Sequence, residues 1–176
     1  MKSPRAYSEA TFDFEVFKIT FDLFEYKRGE LWGAALPRTE DDINELVDAG
    51  IDYIISFEER FGLPKFEDYG IEHHNIVIQD FSIPSEDNVV DFIRTLDRAL
   101  KNGKSILIHC LGGCGRTGTM LALAEIYLYG EHDGLAAMNK VRSVRPCAIE
   151  TDGQEASILE HARNPLKKLS GIQKRQ

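Results

Sequence analysis

One run of residues constrains this chain more than any other: His109-Cys110-Leu111-Gly112-Gly113-Cys114-Gly115-Arg116-Thr117-Gly118-Thr119. The segment before it, 105–109, is short, apolar and β-branched, and reads as a buried strand. The segment after it, 120–128, is nearly uncharged and reads as a buried helix. Between them, glycines at 112, 113 and 115 let the backbone bend tightly and turn its amides inward. The next helix is predicted to begin near Arg116, so its N-terminal amides and dipole face the same hollow. The result is a nest for an anion. A thiol opens it, and a guanidinium, which grips phosphoryl oxygens through two parallel hydrogen bonds, closes it.

The same setting activates Cys110, because a helix N-terminus and a nearby cation favour the thiolate, which can attack phosphorus. A nucleotide-binding loop would need Gly-Lys-Ser/Thr where this chain has Gly115-Arg116-Thr117. Cys110 alone would read as a buried structural cysteine. His109, Cys110, Arg116 and Thr117 at fixed offsets with glycines between them raise the reading to a reactive site. A zinc site of His109, Cys110 and Cys114 lacks a second ligand pair at the usual spacing. His73 and His74 are adjacent in a predicted strand and point to opposite faces, which makes them poor joint ligands. No metal and no cofactor is expected.

The rest of the chain alternates strands with helices. Strands are predicted at 31–36, 51–56, 71–78 and 105–109. Thr39 with Asp42 resembles a capping box, ahead of an apolar face of Ile43, Leu46 and Val47 that Gly50 ends. Ser85 caps a second helix, in which Val89, Ile93, Leu96 and Leu100 share one face and Gly103 stands at the end. Further helices are predicted at 134–144 and 151–163. The expected fold is α/β: one domain over 1–176, with a central, mostly parallel twisted sheet flanked by helices. Residues 12–21 alternate as a bulged strand, so 1–28 is an N-terminal extension that adds a strand or a lid. The tail, 166–176, carries four basic residues and no acid, and is expected to be frayed and solvated.

Composition narrows the partners. A chain that is 43% hydrophobic and 10% aromatic builds a core, which excludes global disorder. Its longest apolar run, 120–124, is too short to cross a bilayer, and its first residues lack a signal peptide's apolar stretch. With 21 basic and 29 acidic residues the net charge is −8, the wrong sign for a nucleic-acid binder. Three cysteines cannot make a disulfide framework, and the odd count fits a reducing, cytoplasmic compartment.

His-Cys-x5-Arg-Thr resembles the signature of the cysteine-dependent protein tyrosine phosphatases. Gly115-Arg116-Thr117-Gly118-Thr119 and the short chain look like their small atypical dual-specificity branch. The resemblance spans 31–162 and includes Leu36-Pro37-Arg38, Gln79-Asp80-Phe81, Arg145-Pro146 and Ile149-Glu150-Thr151. It implies that Cys110 is the nucleophile and carries a phosphocysteine. Arg116 and the amides of Leu111, Gly112, Gly113, Cys114 and Gly115 would bind the phosphoryl oxygens. Asp80 would be the general acid, with Asp41, Asp42 and Asp87 as alternatives; the Thr117 hydroxyl would stabilise the departing thiolate. His109 would orient the loop, and Gln154, or Glu150 beside it, would position the hydrolytic water. Cys114 departs from many relatives; it is either a redox partner of Cys110 or a small side chain packed behind the loop. The implied activity is hydrolysis of phosphotyrosine, and of phosphoserine or phosphothreonine, in a phosphorylated protein, by a monomer. Rival readings are a phosphatase of RNA 5′-phosphates or phosphoinositides, and a phosphate-binding scaffold without activity. A loop interior without lysine and an acidic chain speak against the first, and intact Cys110, Arg116 and Asp80 against the second.

Overall fold

Successive residues of the central strand face opposite sides of the sheet, and both sides are covered. The computed structural model describes residues 21–175. Five strands, β1 (Leu23–Lys27), β2 (Leu31–Ala34), β3 (Tyr53–Ser56), β4 (Glu72–Asn75) and β5 (Ile106–His109), form one sheet in the order β1-β2-β5-β3-β4. The last four run parallel, and β1 pairs antiparallel with β2. On β5, Ile106 and Ile108 face a large cluster with Phe92, Met120, Leu123, Val141 and Ile158. Leu107 faces the other way, against Ile43, Leu46, Ile54 and Phe66. Each such fully buried side chain contributes about 1.5–3 kcal/mol relative to exposure, which sets the sheet's register.

The helices are α1 (Glu40–Asp48), α2 (Glu86–Lys101), α3 (Gly115–Tyr127), α4 (Gly134–Val144) and α5 (Asp152–Arg163). Local signals place their starts. Thr39 and Asp42 close a full capping box on α1, and Ser85 closes another on α2, with Asn88 as its partner. Gly103 adopts φ 72° just past the end of α2, the left-handed conformation that glycine takes without steric cost. Every residue of α3 is buried, which explains why its sequence shows no polar stripe.

The expected α/β fold is therefore present, with differences at its margins. The strand expected over 71–78 pairs only as 72–75, although Ile76 and Ile78 still donate to the carbonyls of Ser56 and Phe57. Strand β1 lies inside the segment expected to add a strand or a lid; the strand expected over 12–21 lies outside the described residues, its last residue excepted. The tail is not frayed. A short 3₁₀ turn at Lys167–Leu169 buries Leu169. The Lys174 ammonium then donates to the carbonyls of Ile126 (2.6 Å) and Tyr127 (2.8 Å), and the Arg175 amide donates to Leu128 (2.6 Å). The basic tail thus caps the C-terminal carbonyls of α3, where the helix dipole favours cations. Among the described residues no helix is long and apolar enough to cross a membrane.

Candidate active site

The loop between β5 and α3 sits at the C-terminal edge of the parallel strands, where ligands enter open α/β sheets. Its shape depends on glycine at two points. Gly113 has φ 69°, and a Cβ there would lie 2.5 Å from the backbone of Ala34 in β2. A Cβ at Gly115 would strike the Glu150 carboxylate and come within 3.1 Å of Gln154. Gly115 is also the first residue of α3, so the loop delivers its backbone directly into the helix N-terminus.

Cys110 opens the loop at 3% exposure and is the free cysteine of the chain. Behind it, wholly buried His109 donates from Nδ1 to the Cys110 carbonyl at 3.1 Å. Burial is the main cause that lowers the His109 pKa to about 3, so the ring is neutral at ordinary pH. Arg116 is 2% exposed. Its Nη1 donates to the carbonyls of Phe57 (3.3 Å) and Ile78 (2.7 Å), which run out from β3 and β4. Its Nη2 pairs with Glu58 Oε2 (2.8 Å) and Asp80 Oδ1 (2.9 Å). The structure thus brings together Arg116 and Asp80, as the sequence suggested, and adds Glu58, which sequence reasoning missed. Asp80 lies in a tight turn: its Oδ1 accepts from the Phe81 amide, and Phe81 holds φ 58°.

Gln154 and Glu150 flank the loop at Gly115. The Gln154 side chain is fully buried; its Oε1 accepts from the Glu150 amide (2.9 Å) and its Nε2 donates to the Ser82 carbonyl (3.3 Å), which ties α5 to the Asp80 turn. Ile149, next to Glu150, holds φ 65°, a left-handed conformation that a β-branched residue adopts only at a cost. Among the described residues, the buried Thr117 hydroxyl has no hydrogen-bond partner, and neither has Arg116 Nε. Of the alternatives to Asp80, Asp42 is taken up in the α1 capping box, Asp87 pairs with Lys168, and Asp41 lies in the first turn of α1. Among the described residues no three His, Cys, Asp or Glu side chains cluster as a metal site.

Cys114 departs from both readings of it. It is neither paired with Cys110 nor a free packing residue: it forms a disulfide with Cys147, with Cα atoms 5.4 Å apart. A chain read as having no disulfide framework therefore has one bond that pins the β5–α3 loop to the segment before α5. Arg145 reinforces that tether through Nη2 to the Gly112 carbonyl (3.4 Å), while its Nη1 pairs with Asp22. No spacing rule could have found the pair, because cysteine counts do not give connectivity.

The family model described as "Polymorphic toxin system, DSP-PTPase phosphatase" matches residues 32–130, more than half of the chain. The chain belongs to this phosphatase family. Within it, the chain sides with the small atypical dual-specificity phosphatases of the cysteine-based tyrosine phosphatase superfamily. It is 30% identical over 136 residues to cyclin-dependent kinase inhibitor 3 of Rattus norvegicus, covering 72% of this chain and 64% of that protein. It is 37% identical over 65 residues to tyrosine-protein phosphatase CDC14 of Saccharomyces cerevisiae, covering 37% of this chain and 12% of that one. Across these curated relatives the match spans less than two thirds of their length. Among solved structures, the active form of Tk-PTP superposes with TM-score 0.71 at 28% identity, covering 82% of this chain and 97% of that one. PTPMT1 in complex with PI(5)P gives the same TM-score at 18% identity, a likeness of fold.

Proposed function

We propose that this phosphatase hydrolyses phosphotyrosine in proteins, and phosphoserine or phosphothreonine more slowly, through a cysteinyl-phosphate intermediate. The convergence of Arg116 and Asp80 beside the Cys110 loop carries the reading. The loop amides and Arg116 would hold the three non-bridging phosphoryl oxygens. Cys110 Sγ would attack phosphorus while the bond to the leaving oxygen breaks, and protonated Asp80 would give that oxygen its proton. Water, aligned by Gln154 or Glu150, would then lose a proton to Asp80 and attack the phosphocysteine, releasing phosphate and the thiolate. The Thr117 hydroxyl, without a partner among the described residues, would donate to that thiolate. In the structure Asp80 pairs with Arg116, so a phosphoryl group that engages Arg116 displaces the carboxylate and frees it for proton transfer.

A cavity of about 630 Å³ next to the loop supports a protein substrate. It shares Leu111 and Gly112 with the loop, and four carboxylates, Asp22, Asp41, Asp42 and Glu45, line it against two guanidinium groups, Arg38 and Arg145. An acidic groove favours a phosphorylated peptide with basic neighbours and repels an anionic lipid headgroup or an RNA end. The deciding experiment compares phosphate release from para-nitrophenyl phosphate, phosphotyrosine, phosphoserine and phosphoinositide substrates. The protein should turn over the first two best. Cys110→Ser should abolish turnover while phosphate still binds; a Cys110→Ser enzyme with a tenth of the wild-type rate would end the covalent reading. Preference for a phosphoinositide would end the protein-substrate reading.

A further inference from the structure

A line of hydrogen bonds runs from the back of the nucleophile loop to the opposite side of the sheet edge. Beyond its bond to the Cys110 carbonyl, His109 places Nε2 2.6 Å from Ser56 Oγ. Ser56 Oγ lies in turn 2.8 Å from His73 Nε2. Past it, His73 Nδ1 faces Glu67 Oε1 at 3.8 Å. The three side chains come from β5, β3 and β4, which are sheet neighbours, and Ser56 pairs in register with His109. Ser56 and His109 are fully buried, and the His73 side chain is 17% exposed. The Phe66 ring packs edge-on to both imidazoles, at 5.0 Å from His73 and 6.1 Å from His109, with the Arg60 guanidinium 3.7 Å above its own face. The line is therefore closed to water along most of its length.

The number of protons orders it. A carbonyl only accepts, so His109 Nδ1 carries a hydrogen. The ring is neutral, so its Nε2 is bare and accepts the Ser56 O–H. Ser56 has no second hydrogen, so its oxygen accepts from His73 Nε2–H. The direction is single: His73 to Ser56 to His109 to the Cys110 carbonyl. The charged and titratable groups that act on the rings are Arg60, His73 and Arg116 on His109, which oppose its protonation, and Glu67, Arg60 and His74 on His73, of which Glu67 favours a proton on that ring.

We propose that Ser56 and His73 are positioning residues for the phosphatase reaction, which hold His109 in its Nδ1–H tautomer and thereby fix the carbonyl that begins the phosphate loop. The proposal rests on Cys110 as the nucleophile. Without the Ser56 hydroxyl, a neutral His109 is free to move its hydrogen to Nε2. Its Nδ1 lone pair would then face the Cys110 oxygen, and the Cys110–Leu111 peptide, whose N–H belongs to the anion nest, would turn away.

Two measurements on the full chain test this without needing turnover. Long-range ¹H–¹⁵N spectra of histidine-labelled protein should show His109 in the Nδ1–H form in wild type, and lose it in Ser56→Ala. Alkylation of Cys110 by iodoacetamide at pH 7 should slow about tenfold in Ser56→Ala and in His73→Phe, the factor one lost hydrogen bond carries into a rate. His73→Gln keeps an N–H donor and should recover most of that loss. On para-nitrophenyl phosphate, kcat should fall by the same factor with KM nearly constant. A wild-type His109 in the Nε2–H form would overturn the proposal, and so would a Ser56→Ala protein with unchanged tautomer and alkylation rate. If Ser56→Ala does not fold, His73→Phe and His73→Gln decide it, and equal alkylation rates in that pair would overturn it. A wild type that alkylates as expected yet releases no phosphate would refute the phosphatase reading and leave the hydrogen-bond line standing.

Discussion

Helix α3 carries a buried cation at its start and a buried carboxylate near its end, and the two are held in different ways. Arg116, 2% exposed, lies in the first turn, where the helix dipole disfavours positive charge. Glu125, 1% exposed, lies in the last turn, where the dipole disfavours negative charge. Each therefore depends on partners to remain charged inside the protein. Those of Arg116 are Glu58 and Asp80, whose side chains are 26% and 44% exposed on loops. Those of Glu125 are Lys27 on β1, Lys140 on α4 and the Tyr26 hydroxyl, which join two layers across the helix. Burial beside Glu125 pushes the Tyr26 hydroxyl well above its usual range, so it stays a donor to the carboxylate. Exposed loop partners can be exchanged for a substrate anion; partners fixed on packed elements cannot. One end of the helix is built for exchange and the other for attachment.

The largest test of that contrast lies at the exchangeable end. Asp80→Asn should lower kcat by about 10²–10⁴ on an alkyl phosphate, and by less on para-nitrophenyl phosphate, whose leaving group needs little protonation. Arg116→Lys should cost about 10²–10³ in kcat, because a point charge replaces a planar fork. Both variants should melt near the wild-type temperature. Near-normal kcat on the poor leaving group in Asp80→Asn would pass the acid's role to Glu150.

Next in size is the disulfide. It closes a span of 33 residues, so Cys114→Ser/Cys147→Ser should lose about 3–4 kcal/mol in urea unfolding. Unchanged stability would show that the tether does not hold the loop in solution. Smaller again is the attachment end, where Glu125→Gln should cost about 1–3 kcal/mol of stability and leave kcat within about twofold. A fall in kcat like that of Arg116→Lys would erase the distinction between the two ends. Smallest per unit of the variable changed is the pH dependence set by the neutral histidines. His109 has a pKa lowered by burial from 6.5 to about 3, so between those values the unfolded chain binds the proton that the native state refuses. Stability should be complete above pH 6.5 and decline on acidification towards pH 3, by at most about 1.4 kcal/mol per pH unit for this group. His73 and His161, also lowered chiefly by burial, act with the same sign. A urea midpoint constant from pH 7 to pH 4 would contradict this.

The features legible in the sequence are those whose cause is local. The capping boxes at Thr39 and Ser85, the apolar face of α2 and the strand–glycine–helix unit each occupy one contiguous stretch. Residues joined only by the fold were illegible. Ser56 ends β3 and Glu58 opens the charged run Glu58-Glu59-Arg60 just after it, and nothing near them in the chain marks His109 or Arg116 as their partners. His73 reads as one of two strand histidines until the sheet sets it beside Ser56, while His74 turns to Asp91. The tail looked solvated because its charges outnumber its apolar residues, yet Leu169 and the last carbonyls of α3 give it a seat.

The strand order has a consequence for folding. Strand β5 is the last in sequence and lies at the centre, between β2 and β3, which do not pair with each other. Until residue 109 has left the ribosome, the β1–β2 hairpin and the β3–β4 pair lack the strand that unites them. Pairings this distant in sequence form slowly, since closing the intervening chain costs entropy before contacts repay it. Cys110, the proposed nucleophile, immediately follows that strand. A nascent chain therefore acquires its β5–α3 loop only with the strand that completes its sheet, and no intermediate that lacks β5 carries a formed phosphate nest.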